Sequence, residues 1–342
     1  MSDVAKDDTG IMEHTENGGG PGRKSEKGHC KRFWWAYVLV ALLIIVIAVP
    51  CVILLDVPRV AQQKLNEAKL TIDGIVITNV QANSMNMAIN STITTDGSTH
   101  ATIDGFEGTM YLADVNPPLA FAKINFPETN SDVLQTVNVS QEVPVSDLHA
   151  FTTFNEHLIQ RESVNVQVKG NTHVHVSGIS RAYSVTFDKT VSIKGLNGFK
   201  GLSVTNPHVR IATTNNFNAT THIPNPSVLT LDIGNVTFTT YFNGASVGSS
   251  YITNMVLRPG ETNDFFIWAD IDQMTVVNAL THHPWCERNG TLTFELSGKN
   301  VTNRGQSIPY FADALAASNQ TVDIAIGDAA KHDLGMPIGC SD

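Results

Sequence analysis

The chain has 342 residues, 42% of them apolar and 16% charged, with 32 acidic against 22 basic side chains and four cysteines. That length buries one large core or two ordinary ones. The formal charge of −10 argues against a nucleic-acid binder, which needs a basic surface, and no Cys-x-x-Cys or Cys/His spacing offers a zinc signature.

Residues 1–32, centred on ENGGGPGRKSEKG, lack apolar periodicity and read as a disordered cytosolic tail. Phe33 to Leu55 follows, 23 residues without a charge, long enough at 1.5 Å per residue to cross a hydrocarbon core of about 30 Å. Trp34, Trp35 and Tyr37 form an interfacial aromatic belt at its start, and Arg23, Lys24, Lys27, Lys31 and Arg32 precede them, which places the N-terminus in the cytosol and the rest across the membrane. A cleaved signal peptide is the rival reading, but the apolar run is longer than the usual signal core and DVPRV after it offers no small-residue cleavage site. Residues 1–32 hold six charges of each sign, so the translocated part carries 26 acidic against 16 basic residues, together with ten of the twelve histidines. An acidic compartment would offset that charge by protonating the histidines.

After the anchor, VPRVAQQKLNEAKL reads as a short stalk helix with Pro58 near its start. Strand patterns then dominate, among them LTIDGIVITNV, SMNMAINSTI, VNVQVKG, THVHVSGI and VLTLDIGNVTFTTYF, separated by Gly, Asn, Asp and Pro. In the last of these, Asn243-Gly244 supplies a tight hairpin turn. Two stretches have helical period instead: SDLHAFTTFNEHLIQ, with Leu148, Phe151, Phe154 and Leu158 on one stripe behind a Ser146 cap, and IDQMTVVNALTHH. Each helix is followed by a matching strand, Val164, Val166, Val168 and Gly170 corresponding to Leu292, Phe294, Leu296 and Gly298 at an offset of 128. Residues 56–183 and 184–342 are therefore expected as two related β units.

Seven Asn-x-Ser/Thr sequons, at Asn90, Asn138, Asn218, Asn235, Asn289, Asn300 and Asn319, all lie beyond the anchor and fit a glycosylated luminal region. Asn90 and Asn235 alternate with buried positions and should point outward. Cys30, beside the membrane, is open to palmitoylation or stays a free thiol. Cys51 lies in the apolar segment, and Cys286 and Cys340 are the luminal pair, which an oxidising compartment would join.

GLNGFKG (195–201), NPS (225–227), the strand ending YFNG, the Val247-Gly248 pair and LRPG (257–260), together with VPRVAQQ after the anchor, carry a resemblance. In that order they are similar to a fungal family of single-pass vacuolar membrane proteins of unassigned function, within the type-2 late-embryogenesis-abundant (water-stress and hypersensitive-response) superfamily. The first unit departs from the pattern, since its NPP at 116–118 is displaced relative to NPS. The resemblance implies mainly β structure: tandem sandwich units related in shape to type III fibronectin, with short helices, after one transmembrane helix. It also implies a vacuolar or lysosome-like membrane and a groove that takes a lipid acyl chain. Met85, Met87, Phe238, Phe242, Phe265 and Phe266 either line such a groove or fill ordinary sandwich cores. Because neighbours in a strand face opposite ways, one of Phe265 and Phe266 should be exposed or cover a second surface.

Other constellations carry less. His173 and His175 share a strand face and either bind a metal or sit on the solvent side of a sheet. His282-His283 closes a helix, where imidazolium meets the dipole. Asp270 and Asp272 share parity, but one strand does not establish the facing carboxyls that glycosidases need. No catalytic motif and no cofactor-binding loop is present. The expectation is a non-enzymatic, cofactor-free endomembrane protein whose partners are the bilayer and a lipid ligand or membrane component. The alternative is a glycosylated interaction scaffold that engages another protein; a glycan- or lipid-modifying hydrolase stands third.

Overall fold

Alternating strands bury one face only when paired, and from Lys69 onward the chain is built almost wholly of paired strands. The computed structural model describes residues 34–288, 290–336 and 339–340. Its contacts divide it into two units, one ending at Asp56 and one beginning at Val57. The tail 1–32, its basic residues, Cys30 and Asn289 lie outside the described residues.

In the first unit, α1 (Trp34–Cys51) passes through Pro50 into one π-helical turn, Val52–Asp56. Its apolar side chains are mostly exposed, Leu43 at 62% and Ile44 at 59%. A helix apolar all round and exposed along its length has the character of a membrane anchor or of a signal sequence. It is the one segment among the described residues long and apolar enough to cross a membrane.

The second unit runs in chain order α2 (Val57–Glu67), β1 (Lys69–Thr78), β2 (Ser84–Thr94), β3 (Ala101–Ile103), β4 (Phe106–Leu112), β5 (Leu119–Phe126), β6 (Thr129–Asn130), β7 (Leu134–Pro144), α3 (Leu148–Gln160), β8 (Ser163–Val176) and β9 (Ala182–Lys194). It continues with β10 (Ser203–Val209), β11 (Phe217–Pro224), β12 (Leu229–Phe242), β13 (Ala245–Leu257), β14 (Thr262–Ile271), α4 (Gln273–Thr281), β15 (Thr291–Asn303), β16 (Gln306–Ser307), α5 (Pro309–Ala316), β17 (Gln320–Ala325) and α6 (Ile326–Leu334).

The pairings repeat. In the first half β1 pairs β2 and β2 pairs β7, while β5, β4, β8 and β9 pair in that order. In the second half β10 pairs β11 and β11 pairs β14, while β13, β12, β15 and β17 pair in that order. The strands β8 and β15, which carry the matched residues, occupy equivalent places after α3 and α4. The position 183/184 lies within β9, whose ladder with β8 runs from Lys194 opposite Ser163 to Ala182 opposite His175. The halves also share a sheet: β12 pairs in parallel with β1 through Leu229–Leu231, then turns the same edge to β15 from Asn235 to Phe242. Residues 57–342 accordingly cluster as one unit.

The turn at Asn243-Gly244 has φ of 50° and 76°, the left-handed pair that a tight hairpin needs. Gly298 admits α5 against β15, since a Cβ there would stand 2.5 Å from the Ala312 carbonyl oxygen. The cap of α3 is Asp147 rather than Ser146: its carboxylate accepts the Ala150 N–H at 3.0 Å, and its negative charge at a helix start adds a dipole term that serine lacks.

Candidate functional site: two apolar cavities

The motifs that carry the family resemblance act structurally. Asn225, 1% exposed, accepts from the Ser227 N–H and hydroxyl and donates to the Leu229 carbonyl. Its backbone bonds both Gly260 and Glu261, so NPS and LRPG form one latch between the β11–β12 and β13–β14 connections. GLNGFKG closes the end of α3, with Gly195, Leu196 and Asn197 N–H groups donating to the carbonyls of Glu162, Leu158 and Arg161.

The residues expected to line a groove go elsewhere. Met85, Met87, Phe238 and Phe242 are 1–5% exposed, and Phe242 packs on Trp285 and Phe294 with centroids 5.1 and 5.6 Å away. Phe265 packs partly buried against the core, while Phe266 is 61% exposed on the other face of β14. The second unit holds two apolar cavities, and none of the six borders either. The faces that carry Met85, Met87, Phe238 and Phe242 are filled by their own packing, and space remains at two other places, beside α4 and α6 in the second half and between the sheets of the first.

Cavity 1, about 290 Å³, lies in the second half. Its walls are Phe217, Ile267, Phe294, Leu296 and Ile324 from the strands, Val276, Val277 and Leu280 from α4, and Ile326, Ala330 and Leu334 from α6. Its polar lining is satisfied internally: the Thr240 and Ser250 hydroxyls bond each other at 2.6 Å, and Asn216 bonds both the N–H and carbonyl of Ile271. A surface of that kind holds water poorly, because an ordered water needs two to four polar partners.

The lip of cavity 1 is apolar and wet. Ile211, in the β10–β11 connection, is 81% exposed and Met274, in the first turn of α4, is 68% exposed; both border the cavity. Arg210 beside them is the one ionisable residue on the lining among the described residues. Two helices frame the opening. Asp272 caps α4, accepting from Met274 N–H and the Thr275 hydroxyl, and these bonds hold its carboxyl below the usual 3.8. The Cys286–Cys340 disulfide, Cα–Cα 5.1 Å, ties the segment after α4 to the segment after α6.

Cavity 2, about 370 Å³, lies between the sheets of the first half. Phe106, Phe126 and Phe187 cluster on its wall with centroids 5.2–6.1 Å apart, joined by Leu70, Ile93, Val137 and Val176. Its mouth is charged where α2 crosses it. Lys64 pairs with Asp96, and Lys189, whose pKa burial pushes down, donates to the Asn66 and Ala68 carbonyls at 2.7 and 2.6 Å. The Gln62 side chain covers the outer edge of β9 by bonding both backbone groups of Thr186.

The remaining candidates take separate roles. His175 and His173 flank Asp104 at 3.0 and 4.0 Å on the solvent side. Asp270 accepts the Tyr251 hydroxyl and the Asn215 N–H, apart from the capping work of Asp272. His282 caps the end of α4, and His283 pairs with Glu287 at 2.9 Å. Among the sequon residues Asn90, Asn138, Asn235, Asn300 and Asn319 are exposed and Asn218 is half-buried. Asn90 and Asn138 are direct partners across β2 and β7.

The family model described as "Protein of unknown function (DUF3712)" matches residues 119–240, from β5 into β12. No curated protein sequence matches the chain. Among solved structures, a glycosyl hydrolase family 2 member from Bacteroides cellulosilyticus is 12% identical over 43% of this chain, with a TM-score of 0.19; the chain spans 16% of that protein's length. A bacterial adhesin from Mobiluncus mulieris is 8% identical over 67% of this chain and 80% of its own, TM-score 0.19. The SafA pilin of Salmonella enterica, in complex with the SafB chaperone, is 10% identical over 70% and 92%, TM-score 0.16. None of these likenesses reaches a shared global fold.

Proposed function

We propose that the protein is a non-enzymatic, single-pass endomembrane protein, N-terminus cytosolic and β region luminal, that holds a lipid acyl chain in cavity 1. The vacuolar membrane is the compartment the resemblance favours. The observation that carries the reading is the pairing of an internally satisfied apolar cavity of about 290 Å³ with an apolar lip at Ile211 and Met274, 81% and 68% exposed. That volume sits near the lower end of the roughly 300–1,000 Å³ of small-molecule sites and suits one chain rather than a whole phospholipid. Arg210 at the lip places a guanidinium where an acidic head group would emerge. The exposed sequons fit a luminal glycoprotein, with Asn90 and Asn138 shielding one face of the sheet.

The test is photo-crosslinking of the full chain, in nanodiscs containing a phospholipid with a diazirine at the end of one acyl chain. Crosslinks on α4, α6 or β17, lost in Val277→Trp, are expected. Crosslinks confined to Trp34–Asp56 would sink the reading. A second reading, an interaction scaffold, rests on Phe266, an aromatic side chain 61% exposed on a strand and of the kind that anchors protein interfaces. It gains if cavity 1 stays uncrosslinked while Phe266→Ser loses a luminal partner.

A further inference from the structure

His208, His332 and Asp333 line neither cavity. His208 is on β10, and His332 and Asp333 close α6. Their donor atoms all lie within 4.8 Å of one another. The His208 Nδ1 is 3.2 Å from Asp333 Oδ2 and 3.3 Å from Oδ1, and the His332 Nδ1 is 2.7 Å from Oδ1. Both rings thus address one carboxylate. That carboxylate is itself fixed, its side chain 16% exposed and its Oδ2 accepting the Val209 N–H at 2.9 Å.

We propose that His208, His332 and Asp333 form a binding site for a divalent transition metal, Zn²⁺ first, that clamps the end of α6 to β10. With metal–nitrogen and metal–oxygen bonds near 2.0–2.2 Å, tetrahedral ligand atoms stand about 3.4 Å apart, which His208 already satisfies with either oxygen. His332 has to withdraw from Oδ1 by less than about 1 Å and to meet the His208 nitrogen from within 4.8 Å, and at 81% exposure its ring is free to move. Two imidazoles and one carboxylate suit zinc, nickel or copper rather than magnesium or calcium. Each ring would present an unprotonated Nδ1 and carry its proton on Nε2. The Val209 N–H plays the orienting part that outer partners play for metal-bound carboxylates. Solvent supplies the remaining positions.

The ordinary reading, two surface histidines paired with an acid, accounts for any one of these contacts. It does not require that three donors from two elements converge at metal-ligand spacing, and His173 and His175 around Asp104 do not. Val209 and Leu334, next to the ligands in sequence, line cavity 1, so the ion would hold one wall of that cavity whether or not a lipid fills it.

The experiment is a zinc titration of the full chain in detergent, without a histidine tag or reductant, after EDTA treatment and desalting, followed by isothermal calorimetry and by hydrogen exchange of α6. One zinc per chain is expected, with slower exchange across Ile326–Leu334. His332→Ala and His208→Ala should each weaken binding at least tenfold and abolish the protection, while the double variant His173→Ala/His175→Ala binds as the wild type does. No binding at micromolar zinc, or binding unchanged in both His208→Ala and His332→Ala, overturns the proposal. Since His332 is exposed, loss of binding in a variant whose melting temperature without metal matches the wild type reports the site and not the fold.

Discussion

Tyr310 is the largest of the fully buried side chains, and its hydroxyl donates to the Gln81 carbonyl at 2.8 Å. Burial pushes its pKa well above 10.0, so it stays a neutral donor at any working pH. It also sits edge-on to Phe151, 4.9 Å between centroids, beside the stack of Phe121 on Phe154 at 4.4 Å. Tyr310→Phe keeps the packing and leaves the Gln81 carbonyl unpaired, so a loss of about 1–2 kcal/mol is expected in urea unfolding. Phe121→Ala, which empties the middle of the stack, should cost about 3–5 kcal/mol; equal losses from the two variants would refute this account. The stripe of Phe151 and Phe154 was legible from helical spacing. Their partners were not, because Tyr310 lies more than 150 residues further along the chain and no local period links them.

At the scale of elements, α4 shows what local pattern does and does not carry. Its helical period and the acid before it are visible in IDQMTVVNALTHH, yet its role as a wall of cavity 1 depends on β15, β17 and α6 arriving opposite it. The Asp272 cap makes that wall pH-sensitive. Its folded pKa lies below 3.8, so the cap's contribution is fully present above the ordinary carboxylate range and fades as the pH falls through the depressed folded value. Hydrogen exchange of Gln273–Thr281 should therefore quicken, after correction for intrinsic rates, below pH 3.8 in the wild type and stay level in Asp272→Asn, whose neutral amide still caps. Parallel loss of protection in both would assign the change to something other than the cap. The repeat was legible at this scale as well, since the strand after each helix must bury the same alternate positions. The site of the cavities was not: Met85, Met87, Phe238 and Phe242 are as apolar as any groove residue, and only packing distinguishes a filled face from an open one.

Across the whole molecule, cavity 1 is framed by segments distant in sequence and held together by the Cys286–Cys340 disulfide, which spans 54 residues. A loop of that length should stabilise by about 2–4 kcal/mol, so Cys286→Ser/Cys340→Ser is expected to lower the urea midpoint and speed exchange across α6 while β1–β9 stay protected. Uniform loosening of both halves would show instead that the shared sheet transmits the loss. Composition and periodicity alone determined the apolar segment, the outward side chains of Asn90 and Asn235, the mainly β class and the doubling of the unit. Each follows from nearest-neighbour physics: a run of apolar residues without a charge gains nothing from water, and alternation needs one wet and one dry face. Only the tertiary structure decided that β12 joins the halves, that space remains beneath α4 and α6 rather than under the phenylalanines of β12, and that His208 meets His332 and Asp333. Parallel pairing and converging donors depend on distances between residues more than 120 apart, and cavity 1 on helices separated by whole strands; those distances exist only once the chain has closed on itself.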